Sequence, residues 1–182
     1  MGLEKEKQII IQALKGEKAK LFLELWEELP SKSAKNSEEA RVEGNQLFSS
    51  CIHNSQVHEQ IWKCYSRSIS WAPISSEELA LAYGNRSAFL KHIRKFQECI
   101  NDIDRALLNT NTLSLKIKLL CRKSECLVKL NRCEMATLEE AKHYFKMINN
   151  DYSKTLANII EKTENSIMNI KKAVSETSIN NR

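Results

Sequence analysis

The sequence predicts an all-α fold, and three observations carry that prediction. Glycine and proline, the residues that interrupt helices, number only four and two in 182 residues. Leu, Glu, Lys, Ile, Ala and Ser dominate the composition. Alternating runs bounded by turn residues, the mark of half-buried strands, are hard to find. The length suits one domain of ordinary size, with room for a sizeable core. Hydrophobic residues make up 42% and charged residues 28%, the balance of a folded soluble domain.

The first expected element is an amphipathic helix from Leu3 to Leu29, with Ile10, Leu14, Leu21, Leu25 and Leu29 on one stripe, widened by Phe22 and Trp26. Pro30 ends it and the polar stretch Ser31 to Ser37 links it onward. The helix is expected to lie against the bundle that follows. Its polar face carries as many Glu as Lys, which argues against a membrane-surface role. An N-terminal region of 1–36 is thereby set apart.

Residues 37–150 then read as a repeat region. Asn36 with Glu39, and Ser75 with Glu78, have the spacing of capping boxes, in which each side chain satisfies the other's free backbone N–H. Each opens a helix carrying a small residue at a matching place: Gly44, Ser87 and, in a third unit, Ser124. The second helices carry small residues such as Cys99 and Ala106 where two helices must approach. Ala72-Pro73 closes the first unit. The small residues lie 43 and 37 positions apart, and two longer loops, Ile52 to Gln60 and Asn109 to Thr112, absorb the excess over an ideal 34-residue repeat. The third unit turns at Asn131-Arg132, runs from Cys133 to Met147 and breaks at Asn149 to Asp151.

The region 151–182 is expected to form a last helix with a seam of Leu156, Ile160, Thr163, Ile167, Ile170 and Val174, fraying from Ser175. Such a seam covers the open end of a repeat stack; a dimeric coiled coil is the rival, and its fewer than three heptads favour the cap and a monomer.

Five donors recur in register with the repeats. Arg41 and Asn45 are four apart in the first unit, Asn85 lies in the second, and Lys118 and Arg122 are four apart in the third. Four residues make about one helical turn, so each pair shares a face. If the first helices of the three units stack side by side, the five donors converge on one groove. Two cations and two amides there would satisfy the paired carboxylates of a peptide's terminal Asp. Taken alone, Lys118 and Arg122 read first as solvated residues on an exposed helix face, Asn45 after Gly44 as the start of a bend, and Asn85 as a side chain bonded to a neighbouring turn. Their joint occurrence in register with three units favours the clamp.

Other functions find little footing. A net charge of +5 suits an acidic tail as well as a nucleic acid. The basic cluster Lys91 to Lys95 lacks any recognition motif, so no nucleic-acid partner is expected. The six cysteines include no Cys-x-x-Cys pair, and a charged N-terminus (Glu4, Lys5, Glu6, Lys7) lacks a signal-peptide core, which predicts buried thiols in a cytoplasmic or nuclear protein. No apolar run approaches the ~20 residues of a membrane span. His53 and His58 flank a polar loop without a nucleophile in context, and His92 and His143 are isolated on helices. No enzyme, cofactor or metal site is expected.

The strings Glu43 to Phe48, Cys64 to Ile69, Ala82 to Ala88 and Arg122 to Leu127 resemble tetratricopeptide-repeat domains of the carboxylate-clamp type. The resemblance covers about residues 37 to 147. It implies three helix pairs in an α-α superhelix and a groove that grips the Glu-Glu-Val-Asp tail of cytosolic heat-shock chaperones. Asn45, Asn85, Lys118 and Arg122 match the clamp pattern. Arg41 stands where the family has Lys, keeping the charge but changing the hydrogen-bond geometry. A narrower resemblance, over Ser75 to Ala88 and Phe96 to Leu107, is to the repeat region of a SET-and-MYND-domain protein-lysine methyltransferase. It implies a regulatory arm of such an enzyme, itself non-catalytic. The MYND cysteine pattern and the SET cofactor motif are both absent from these residues.

Overall fold

The computed structural model describes Gly16 and residues 32–51, 54–148 and 153–180. It divides into two compact units, 1–32 and 33–182, and the second holds every helix described here. Most of the expected Leu3–Leu29 helix lies outside the described residues. Gly16 is described, in a turn at φ +61°, which no right-handed helix contains, so that segment is not one uninterrupted helix.

Seven α-helices follow: α1 (Ala34–Cys51), α2 (His58–Trp71), α3 (Glu77–His92), α4 (Phe96–Leu108), α5 (Leu113–Lys129), α6 (Met135–Lys146) and α7 (Ser153–Asn180). No strand occurs among the described residues. The helices pack as hairpins, α1 with α2, α3 with α4 and α5 with α6, and each hairpin stacks on the next. The all-α paired-helix repeat read from the sequence is therefore what the chain forms.

Helix starts differ from the expected caps. Ser33, not Asn36, opens α1: its hydroxyl accepts from the Asn36 amide at 3.2 Å. Ser76, not Ser75, caps α3, accepting from the Leu79 amide at 3.1 Å. The reason is backbone geometry. Ser76 is extended (φ −110°, ψ 159°), as an N-cap must be, whereas Ser75 is left-handed at φ 54°. Glu77 and Glu78 in the first turn of α3, with Lys91 and His92 in its last, complement the helix dipole.

Two helices end in the same stop. Arg94 (φ 61°) follows α3, and the Lys95 amide donates back to the Leu90 carbonyl at 2.9 Å. Asn131 (φ 53°) follows α5, and the Arg132 amide reaches Leu127 at 2.8 Å. Each is a Schellman motif that satisfies two orphan carbonyls and reverses the chain. The first inter-helix loop is shorter than expected, because a 3-10 turn at Ser55–Val57 leads into α2 at His58. The 109–112 loop is anchored. Thr110 is buried, and its hydroxyl donates to the Glu77 carboxylate at 2.7 Å.

Small residues set the helix separations. Ser37 and Ser68 are buried, and each hydroxyl donates to the other's carbonyl at 2.8–2.9 Å, pinning α1 to α2. Gly44 faces the Tyr65 ring, where a Cβ would lie 2.8 Å from ring carbon Cε1. Cys99 donates its thiol hydrogen to the Ser87 carbonyl at 3.1 Å, and Cys126 Sγ lies 3.5 Å from Cys99 Sγ. Their hydrogen bond and burial push the Cys99 thiol well above its usual pKa. Cys64, Cys99, Cys121, Cys126 and Cys133 are free thiols; the first four are buried as expected, whereas Cys133 is exposed.

The main core joins α3, α4 and α5 through Leu90, Ile100, Ile103, Leu119 and Leu127. A second joins α5, α6 and α7 through Ile117, Leu120, Ala141, Leu156 and Ile160. Leu156, Ile160, Thr163 and Ile167 of α7 are all buried, so this helix lies along the last pair. Its backbone stays helical to Asn180, past the expected fraying point.

Candidate functional site

The five candidate donors come from α1, α3 and α5, the first helix of each pair. These three helices touch in sequence, α1 against α3 and α3 against α5. Stacking therefore brings together residues 35 to 40 positions apart.

Two of the five, Asn45 and Asn85, meet at one amide oxygen beside a hydroxyl that sequence reasoning missed. Tyr65, on α2, is buried and donates to Asn45 Oδ1 at 2.9 Å. Asn85 Nδ2 donates to the same oxygen at 3.0 Å. Burial pushes the Tyr65 phenol up to about 12, while the positive charges of Arg41 and Arg122 pull the other way. Arg41 itself is half-buried, 3.7 Å from the Glu38 carboxylate. A signal for Tyr65 did exist in the sequence: the helix opposite carries Gly44, the one residue that leaves space for its ring.

Arg122 reaches across to α3. Its Nη1 donates to the Gly84 carbonyl at 2.8 Å and to the Ser87 hydroxyl at 2.7 Å, and burial holds its pKa below the usual guanidinium value. Lys118 stands apart from this cluster. It is exposed one turn earlier on the same face of α5, without an ion pair or hydrogen bond among the described residues.

The arrangement has a consequence for charge recognition. Asn45 Oδ1 receives two donors, which turns the amide's own N–H groups away from Tyr65 and leaves them available. Asn85 keeps a second N–H, Arg122 keeps Nη2 and Nε, and Lys118 keeps all three. The local chemistry is rich in donors, the requirement for holding an anion.

On the side of α3 towards α2 and α4 lies a separate network. Arg86 grips the buried Asp102 with two hydrogen bonds, Nε at 2.7 Å and Nη2 at 2.9 Å, and stacks 4.7 Å from the Trp62 ring. This is a fastening between hairpins rather than a ligand site, since both oxygens of Asp102 are taken. The histidines are placed differently from the sequence expectation. His92 is not isolated; it packs edge-on to Phe48 and His58 at 6.0 Å, and His58 packs on Phe89 at 5.6 Å. No group of three His, Cys, Asp or Glu among the described residues is arranged to hold a metal.

No protein-family model matches the chain, and no solved structure matches it. Sequence relatives do exist. Chicken (Gallus gallus) protein-lysine N-methyltransferase SMYD4 is 39% identical over 97 residues, 53% of this chain. The human (Homo sapiens) protein of that name is 30% identical over 125 residues, 68% of this chain, and the mouse (Mus musculus) protein 33% over 96 residues. The chain is thus homologous to these proteins over about half to two thirds of its length. The match spans only 11 to 14% of the relatives' own length.

Proposed function

We propose that this chain is a tetratricopeptide-type interaction module of a SET-and-MYND-domain methyltransferase lineage. It is itself non-catalytic, and its concave wall captures an acidic carboxyl terminus. The chaperone tail Glu-Glu-Val-Asp is the representative ligand. One observation carries the reading: Asn45 and Asn85 are hydrogen-bonded to each other across the first two hairpins, and Arg122 of the third is hydrogen-bonded to the Gly84 carbonyl, next to Asn85 in the chain. Lys118 would supply a charge that has no ion-pair partner among the described residues. The homology to SMYD4 over 53–68% of the chain supports the lineage. The regulatory role within a longer methyltransferase rests on that homology, and the peptide role on the donor geometry.

Each charge-assisted hydrogen bond would contribute ~1.5–3 kcal/mol, and ordering a flexible tail subtracts from the sum, so micromolar binding is expected. The test is calorimetric titration with Glu-Glu-Val-Asp peptide as the free acid and as its terminal amide. Binding of the free acid alone, weakened at least fivefold by Lys118→Ala, supports the reading. Equal binding of both forms, or of neither, overturns the clamp and leaves the regulatory reading to stand on homology.

A further inference from the structure

Beyond Arg122 the same face of α5 continues. Lys118, Arg122, Glu125 and Lys129 fall at steps of four, three and four residues, a single stripe along the helix. Glu125 and Lys129 form one wall of a cleft of about 370 Å³ whose other lining comes from Lys91 and Arg94 at the end of α3, Phe96 of α4, and Ser166 and Ile170 of α7. A second hollow of about 530 Å³ adjoins it, sharing Lys129, Ser166 and Ile170 and adding Lys162 and Asn169.

The charge of this region is lopsided. Four cations, Lys91, Arg94, Lys129 and Lys162, face it with one carboxylate, Glu125. That carboxylate is already paired with Lys91. Arg94, Lys129 and Lys162 are exposed and make no ion pair among the described residues. Burial lowers the Lys91 pKa, and the nearby charge of Arg122 adds to the effect. Lys91 lines the cleft and lies two turns along α3 from Gly84, whose carbonyl Arg122 holds, so the cleft and the clamp residues share the same two helices.

We infer that the groove extends into this cleft, so that its ligand is an acidic tail with a second acidic cluster about five residues before its free carboxylate. The inference rests on the reading given under Proposed function. From Lys118 to Lys129 is eleven residues of helix, roughly 16 Å at 1.5 Å per residue. An extended peptide at about 3.3 Å per residue covers that distance in about five residues. The apolar floor of Phe96 and Ile170 suits the aliphatic parts of such a segment, and the lysines suit its carboxylates.

Three peptides and two proteins test it by fluorescence anisotropy. The peptides are Glu-Glu-Val-Asp, the same tail after six Gly-Ser residues, and that decapeptide with Asp and Glu in place of the three residues directly before the tail, which lie four to six residues before the terminal Asp. The proteins are the full chain and Lys129→Glu/Lys162→Glu, two exposed positions, with a thermal melt of each as the folding control. The acidic decapeptide should bind the native chain about fivefold tighter than the Gly-Ser one, the size of a few solvent-exposed ion pairs. The double variant should lose that gain and keep its affinity for the tetrapeptide. If all three peptides bind the native chain equally, the extension is wrong while the clamp stands. If the tetrapeptide fails to bind as the free acid, the clamp itself is wrong. Tighter binding of a single-stranded oligonucleotide of equal charge overturns the polypeptide class.

Discussion

Two glycines that each precede a candidate asparagine should respond to the same substitution with opposite signs. Replacing either by alanine removes backbone entropy from the unfolded chain and raises helix propensity by about 1 kcal/mol. At Gly84 the new Cβ would lie 3.5 Å from Leu119 Cδ2 and 3.8 Å from Leu115 Cδ1, ordinary van der Waals distances. Gly84→Ala should therefore stabilise by about 1 kcal/mol. At Gly44 the Cβ would lie 2.8 and 2.9 Å from two Tyr65 ring carbons and 3.2 Å from Cys64 Cβ. The ring is buried and its hydroxyl is tied to Asn45, so it has nowhere to retreat. Helices α1 and α2 must part instead, an overpacking cost of about 1–3 kcal/mol that outweighs the propensity gain. A net loss of about 1 kcal/mol follows for Gly44→Ala, which separates the two variants by about 2 kcal/mol. In a protein of this size that is a gap of about 4–8 °C in melting temperature by differential scanning calorimetry. A Gly44→Ala protein that melts at or above the native chain would refute the idea that this close approach sets the first hairpin.

Asp102→Ala should cost about 3–5 kcal/mol in urea unfolding, because it strands the largely buried Arg86 guanidinium without its carboxylate; a loss below 1 kcal/mol would show the pair to be dispensable. Tyr65 predicts an alkaline weakness. Its folded pKa of about 12 lies above the ordinary phenol value of 10.0, so its contribution is complete below pH 10 and is lost as the pH rises through 12. The loss amounts to roughly 2–3 kcal/mol over that window. Tyr65→Phe should flatten the decline in denaturation curves at pH 9, 10 and 11, and an unchanged slope would assign it elsewhere.

The paired-helix architecture was legible because its signals are local. Small residues, apolar stripes and turn residues act within one or two helical turns, and the ends of α2, α4 and α5 fall where those signals put them. Cap positions were less legible. Ser75 and Ser76 offer the same chemistry one residue apart, and only the left-handed backbone at Ser75 decides between them. The interior of the candidate site was legible as residue types but not as partners. Tyr65 meets Asn45 across 20 positions and Asn85 meets it across 40, separations that no helical period encodes. The cleft was hidden for the same reason: Arg94 and Lys129 line one hollow and Lys129 and Lys162 the one beside it, residues far apart in sequence that only the packing of the helices brings together.

The residues that would bind are not all free to be tested alone. Arg122 is at once a candidate ligand group and a cross-brace, since its Nη1 holds the Gly84 carbonyl and the Ser87 hydroxyl of the neighbouring hairpin. Removing it strips a partner from Ser87, which is fully buried, so a lost ligand and a loosened interface would look alike. Asn45 has the same double duty through Tyr65. Lys118 does not: it is exposed and braces nothing among the described residues, so its substitution changes charge without changing packing. The proposed recognition by this wall would therefore divide into an inner part that the fold must build anyway and an outer rim that can be altered at little structural cost. The outer rim, Lys118 at one end and Lys129 with Lys162 at the other, is where ligand selectivity can vary while the hairpins stay as they are.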